Sequence, residues 1–281
     1  MPIVDRVTIV GLGLIGGSLG MAARRTRVAR EVVGLSRAAS AVGRATRRGA
    51  IDRGTTDPRR AVRDADLVVL ATPVDAIVPS AVRLARFMRP GSVLTDVGST
   101  KAQMVQTLER RLPREIPFVG AHPLAGSERR GIEAADARLF DGAVCILTPT
   151  ARTSRRATRV VAWLWRRLGT HVITMSPPDH DRLLAGTSHL AHLVAYALAN
   201  SVASPPKCTP HSFLEMTRIA RSDPELWDDI FLSNRTELLR AAARFDRQWR
   251  QLRTLLAGSR RAALRRVLAD AKAKRDALRD S

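Results

Sequence analysis

The chain reads as an α/β protein: an N-terminal Rossmann-type doubly wound parallel sheet followed by an all-helical C-terminal domain. Three observations lead there. Short β-rich runs alternate with helical stretches from the N-terminus to about residue 175. A glycine-rich loop, Gly11-Leu12-Gly13-Leu14-Ile15-Gly16, joins the first such run to the first helical stretch. After Pro177-Pro178 the β-rich runs stop.

Val7-Thr8-Ile9-Val10 is the first expected strand, and helical residues run from the loop to about Arg30. Glu31–Leu35 reads as a second strand, and residues 38–48 as a helix. Asp66–Ala71 is almost continuously apolar, as a strand covered on both faces must be, and it ends at Thr72-Pro73. Ser92–Asp96 and Phe118–Ala121 follow, the latter after a turn at Arg114–Pro117. Ala143–Leu147 and His171–Thr174 extend the sheet. Asp179 is a candidate N-cap for the first helix of the second domain. Helices are expected at about 179–203, 210–221, 224–257 and 259–279, the last with apolar Leu264, Val267 and Leu268. The domains are therefore expected at residues 1–176 and 177–281.

Composition narrows the function classes. Two cysteines, Cys145 and Cys208, are too few for a disulfide framework, and the N-terminus lacks the pattern of a secretory signal, so a cytoplasmic location is expected. Residues 183–203 carry no formal charge, but Thr187, Ser188, His189, His192 and Asn200 interrupt them; a buried core helix is expected, not a membrane span. The net charge of +21 invites a nucleic-acid reading. The arginines, however, are scattered in pairs such as Arg24-Arg25 and Arg166-Arg167, and aromatic residues make up only 4% of the chain. No nucleic-acid partner is expected; a biased codon composition or attraction of small anions explains the arginines about as well.

The loop has the spacing of a dinucleotide-binding turn. Gly11 permits the tight turn, Gly13 lets the backbone approach a pyrophosphate, and Gly16 lets helix and strand pack closely. Leu14 and Ile15 open the helix whose N-terminus faces the phosphates. Where an NAD enzyme usually carries a carboxylate for the ribose, this chain has Ser36-Arg37. A hydroxyl and a guanidinium suit a 2′-phosphate, so NADP is expected in preference to NAD. Thr72, Pro73 and Ser99 stand at strand ends where the cofactor should reach. Asp96, Lys101, His122, Ser127 and Glu128 are further polar groups at such ends.

Five segments together resemble the prephenate/arogenate dehydrogenase family of tyrosine biosynthesis. They are VGLGLIGGSL (10–19), DVGSTK (96–101), GAHPLAGSERRG (120–131), HDRLLAGTSHLAHLVAYAL (180–198) and TRIARSDPELWDDIFLSN (217–234). The resemblance implies a helical dimerisation domain like that of 6-phosphogluconate dehydrogenase, a homodimer, and NAD(P)-dependent oxidative decarboxylation of a cyclohexadienol. Prephenate is the first expectation and arogenate the alternative. The resemblance makes His122 the catalytic histidine, Ser99 the serine that orients it near the cofactor, and Arg218 the cation for the ring carboxylate. Glu128, His192 and Trp227 then shape the pocket. The chain lacks the proline of the family's usual SHLPH and reads Ser188-His189-Leu190-Ala191-His192. No chorismate mutase segment is expected before the glycine loop, and no regulatory domain after the helices. Asp179 and Asp181 are read as capping or interdomain groups, and no metal site is expected at His189 and His192. Two rivals remain. One is another hydroxy-acid dehydrogenase, although Lys207 is the only lysine of the helical half outside the C-terminal tail. The other is a dinucleotide-sensing or nucleic-acid-binding protein without chemistry.

Overall fold

A computed structural model describes residues 4–127, 129–202 and 208–278. Glu128 and Lys207 lie outside the described residues. In chain order the sheet half comprises β1 (Val4–Val10), α1 (Leu14–Thr26), β2 (Ala29–Leu35), α2 (Ala39–Arg47), β3 (Arg53–Thr55), α3 (Pro58–Val62), β4 (Leu67–Leu70), α4 (Val74–Ala85), β5 (Val93–Asp96), α5 (Ala102–Arg111), β6 (Phe118–Pro123), β7 (Val144–Thr148), α6 (Arg155–Arg167) and β8 (His171–Thr174). The helices that follow are α7 (Pro177–Leu184), α8 (Leu190–Asn200), α9 (His211–Thr217), α10 (Pro224–Ser233), α11 (Arg235–Ala257) and α12 (Arg261–Asp276). Among the described residues no strand occurs after β8.

One eight-stranded sheet has the order β3-β2-β1-β4-β5-β6-β7-β8. Its chain reversal lies between β1 and β4, with β1 paired to β2 on one side and β4 on the other. All pairings are parallel except β6–β7, where His122 faces Ile146 across an antiparallel ladder. Alternation of side chains explains the continuous apolar runs. Val7, Ile9, Leu67 and Val69 join a core with Leu19, Leu164 and Trp165 from α1 and α6. Val10, Val68, Leu70 and Leu94 join a second core with Val62, Ile77, Leu84 and Leu108 from α3, α4 and α5. Both faces of the central strands are thus dry. Phe140 meets the fully buried Trp165 edge-on at 5.3 Å, a geometry worth about 0.5–1.5 kcal/mol beyond burial.

The helical half departs from expectation in four places, one of them the expected helix over 224–257, which is broken at Asn234 into α10 and α11. The N-cap of α7 is Ser176, whose hydroxyl accepts the Asp179 backbone N–H; Asp179 is already inside the first turn. Pro177 decides this, since proline suits the first helical position. The expected continuous helix over 179–203 is interrupted by a π-helical turn at Ala185–His189. Finally, α8 is not a buried core helix in the chain as described: only Ala195 is buried, and Leu193 is 37% exposed. Its uncharged sequence reflects apolar side chains left facing outward. No helix among the described residues is long and apolar enough to cross a membrane.

Two compact units result, one running to Arg235 and the other starting at Thr236. The second consists of most of α11 and of α12. Leu239, Phe245, Trp249, Leu256 and Leu268 are exposed on these helices, and no residue of α12 is buried.

Candidate active site

The turn after β1 shows why glycine is required. Gly11 has φ = 95°, and a Cβ on it would lie 2.4 Å from the Ala71 carbonyl oxygen. A Cβ on Gly16 would lie 1.9 Å from the Gly11 carbonyl oxygen. At Gly13, by contrast, a Cβ meets nothing within 4 Å, so this residue faces open space at the N-terminus of α1. That helix has no side-chain cap and no acidic residue in its first turn. Its N–H groups and dipole are therefore left for an anion. Leu14 and Ile15 start this helix. The neighbouring Thr72, between β4 and α4 and followed by Pro73, has a buried hydroxyl with no hydrogen-bond partner among the described residues. Such a group is costly unless something arrives to bond it. The loop, the bare helix end and the orphaned hydroxyl fit a dinucleotide. Ser36 follows β2, its backbone N–H bonded to Thr55, and Arg37 beside it is exposed. The nearby N-terminus of α2 also has no side-chain cap and no acidic residue in its first turn.

His122, partly buried near the end of β6, is held by a chain of bonds. Its Nδ1 lies 2.9 Å from His180 Nε2, and His180 Nδ1 lies 2.8 Å from Asp181 Oδ1. Asp181 in turn accepts the backbone N–H groups of Lys101 and Ala102, each at 2.8 Å, capping α5 from outside. A carboxylate fixed by two N–H donors can only accept, so His180 carries its proton on Nδ1. His180 Nε2 is then bare and accepts from His122 Nδ1. The Nε2 of His122 is left as an acceptor. Burial first, then His180, Lys101 and His189, hold the His122 pKa well below the usual imidazole value. The ring is therefore neutral at neutral pH and able to take a proton.

This arrangement only partly follows the sequence expectation. Ser99 is partly buried in the turn between β5 and α5, but no hydrogen bond links it to His122; the orienting contact comes from His180. Asp181 does cap, and it also sets the histidine pair. Neither His180 nor Asp181 stood out in the sequence as a site residue. The signal was an adjacent His-Asp pair at the start of the helical half.

A second cluster stands on the helices beyond the π turn. His192 donates from Nδ1 to the Ser188 carbonyl at 3.1 Å and stacks on Trp227 at 3.4 Å. Phe231 packs against the same indole, with ring centres 5.4 Å apart. Arg218, at the start of the single 3-10 turn after α9, lies close enough for its charge to depress the His192 pKa, after the larger effect of burial. The buried His189 links the two clusters. It sits 3.2 Å from Asn234 Nδ2, which also donates to the Asp181 carbonyl at 2.7 Å. Burial pushes His189 down to about 4, so it too is neutral. Arg130, from the loop after His122, pairs with Asp223, the N-cap of α10. Thus His122, Arg218, His192 and Trp227 belong to one connected region, with Glu128 outside the described residues. Among the described residues no three His, Cys, Asp or Glu side chains converge as metal ligands.

Residues 19–174 match the family model described as "Prephenate dehydrogenase, nucleotide-binding domain", and residues 176–270 match "Prephenate dehydrogenase, dimerization domain". The chain belongs to the prephenate dehydrogenase family. Within it, a cyclohexadienyl dehydrogenase of Zymomonas mobilis is 38% identical, over 92% of this chain and 90% of that one. A prephenate dehydrogenase of Bacillus subtilis is 32% identical, over 98% of this chain and 76% of that one. The crystal structure of prephenate dehydrogenase from A. aeolicus in complex with hydroxyphenyl propionate and NAD+ superposes with a TM-score of 0.91. It is 34% identical and covers 96% of this chain and 97% of that one. The presence of a nucleotide-binding domain and the order of a Rossmann sheet followed by a helical half agree with these relatives.

Proposed function

We propose that this protein oxidises and decarboxylates prephenate to 4-hydroxyphenylpyruvate with a nicotinamide dinucleotide. The observation that carries this reading is the acceptor left on His122 Nε2 by the Asp181–His180 chain, near the end of a strand of the same sheet whose first strand leads into a turn built for a dinucleotide. The names of the relatives support it. Gly11, Gly13, Leu14, Ile15 and Gly16 hold the pyrophosphate, and Thr72, Pro73 and Ser99 border the nicotinamide end. When bound there, the nicotinamide supplies the hydride acceptor.

The hydride leaves the ring carbon that bears the hydroxyl. His122 Nε2 takes the hydroxyl proton as that carbon–oxygen bond gains carbonyl character. The ring carboxylate then departs as CO2, its electron pair makes the ring aromatic, and His122 returns the proton to the phenol oxygen. Aromatisation supplies the driving force, so the protein's task is geometry, a proton acceptor and exclusion of water. Arg218 holds the ring carboxylate, while His192, Trp227 and Glu128 are assigned to the pocket and its entrance. Arogenate, with an ammonium for the keto group, is the alternative substrate; reduced-cofactor formation assayed with each compound separates them.

NADP is the preferred cofactor on this reading, because Ser36, Arg37 and the acid-free start of α2 offer donors and no repelling carboxylate. The expected kcat/KM for NADP exceeds that for NAD by about tenfold or more, and Arg37→Ala narrows the gap. Equal values, or a preference for NAD, contradict this assignment.

We also assign residues 1–176 to cofactor binding and 177–281 to substrate binding and dimerisation, and we place the enzyme in the cytoplasm. The helical half should form a homodimer, since Leu193 on α8 and Phe245, Trp249 and Leu256 on α11 are exposed in the single chain. Light scattering at micromolar concentration should return twice the chain mass; the mass of one chain contradicts the assignment.

A further inference from the structure

We propose that Lys101 is a positioning residue for this reaction, its buried ammonium clasping through Asp96 the two loop ends that carry His122 and Ser99. The inference rests on the reading of His122 as proton acceptor. Lys101 directly precedes α5, where a long cationic side chain would normally reach solvent. Instead it runs inward, and its side chain and that of Asp96 are both fully buried. A buried charge is tolerated only when it is paired and hydrogen-bonded.

Asp96 meets that condition with every oxygen. Its Oδ2 accepts from Lys101 Nζ and from the Gly98 backbone N–H at 2.7 Å, and its Oδ1 accepts from the Ala121 N–H at 3.1 Å. Gly98 immediately precedes Ser99, and Ala121 immediately precedes His122. One carboxylate, fixed by Lys101, therefore ties both backbones together. Two glycines make room for the lysine. A Cβ on Gly98 would lie 2.9 Å from Asp96 Oδ2 and 3.4 Å from Lys101 Nζ. A Cβ on Gly120 would lie 3.3 Å from Lys101 Cδ and 2.4 Å from the Thr148 hydroxyl. The backbone N–H of Lys101 also donates to Asp181, the far end of the histidine chain. Lys101 thus touches that chain twice: by its backbone at Asp181 and, through Asp96, next to His122.

The charge of Lys101 acts in the same direction as its geometry. The groups bearing on His122 are His180 from α7 with Asp181 bonded behind it, Lys101 paired with Asp96 around the end of β5, His189 from the π turn and Cys145 from β7. Burial pushes the Cys145 thiol up, so it stays uncharged. Burial lowers the Lys101 pKa against the pull of Asp96 and Asp181; Lys101 is the cation of this set, and its charge disfavours protonation of both His122 and His180.

The test is Lys101→Met, which keeps a stem and removes the charge, assayed for prephenate turnover across pH. The expected result is a loss of about 10- to 100-fold in kcat, with KM and the cofactor dissociation constant held within about threefold. The acid limb of kcat/KM should also move up by on the order of half a pH unit or more, because a positive charge has left the neighbourhood of the base. A role limited to folding lowers the yield of enzyme without moving that limb. Unchanged kcat and an unmoved limb overturn the proposal. If Lys101→Met does not fold, Asp96→Asn is read in its place: loss of kcat at constant KM supports the clasp, and full kcat overturns it. His122→Asn is assayed alongside. Full turnover in that variant overturns the proton-acceptor reading itself, whereas its inactivity beside an unaffected Lys101→Met overturns only the clasp.

Discussion

Replacing His122 with Asn should lower kcat by roughly 10²- to 10⁴-fold, the range for a positioned acid–base group, with cofactor binding unchanged. The substitution keeps a donor near the position of Nδ1, so the bond to His180 Nε2 can survive. What disappears is the acceptor at Nε2. The effect should therefore fall on the step in which the hydroxyl proton moves, not on assembly of the complex.

The pH profile provides a second readout. The base must be unprotonated to act. Its pKa in the free enzyme is held well below the ordinary imidazole value of 6.5, first by burial and then by His180, Lys101 and His189. The acid limb of kcat/KM for the parent enzyme should consequently lie below pH 6.5, with activity retained at mildly acidic pH where an exposed histidine would be half charged. In His122→Asn that limb should vanish. A variant with parental kcat and the same limb would show that another group takes the proton.

Arg218→Gln should act in a different way, raising KM for prephenate by about 10- to 100-fold while kcat changes only a few-fold. A guanidinium–carboxylate contact contributes about 1.5–3 kcal/mol more than a neutral substitute can replace, and it is formed before the chemistry begins. Loss of such uniform binding appears in KM. The side chain lies within electrostatic reach of His192, which stacks on Trp227. An unchanged KM, or a loss confined to kcat, would place the ring carboxylate elsewhere.

What could be read from the sequence depended on whether the constraint was local. Gly11 and Gly16 are demanded by backbone atoms a few residues away or on the adjacent strand end, and the dinucleotide turn was legible for that reason. The runs at β1, β4 and β5 were legible because both faces of the sheet are covered. β3 was missed: Arg53-Gly54-Thr55 is a three-residue edge strand with no apolar pattern. The antiparallel direction of β7 was equally invisible, since side-chain alternation reads the same in either direction.

The site divides along the same line. His122 announced itself by its place at a strand end and by its neighbours in sequence. Its partner His180 is 58 positions away, and only the packing of α7 against α5 brings the two imidazoles and Asp181 into line. Asp181 looked like a cap because it is one; its second task depends on which helix it caps. The break at Ala185–His189 has only Gly186 as a local hint, yet it sets where His189 and His192 stand. Ser99 was expected to orient His122 and is not bonded to it, because Nδ1 is already occupied by His180.

The central claim is that this chain couples loss of a hydride to loss of CO2 through a neutral His122. The most direct measurement follows prephenate, reduced cofactor and CO2 together at neutral pH, with NADP and with NAD. Equal molar amounts of CO2 and reduced cofactor per prephenate consumed, both formed roughly 10²- to 10⁴-fold more slowly in His122→Asn, are the predicted result. Absence of reduced cofactor with prephenate and with arogenate, using either dinucleotide and correctly folded protein, would contradict it.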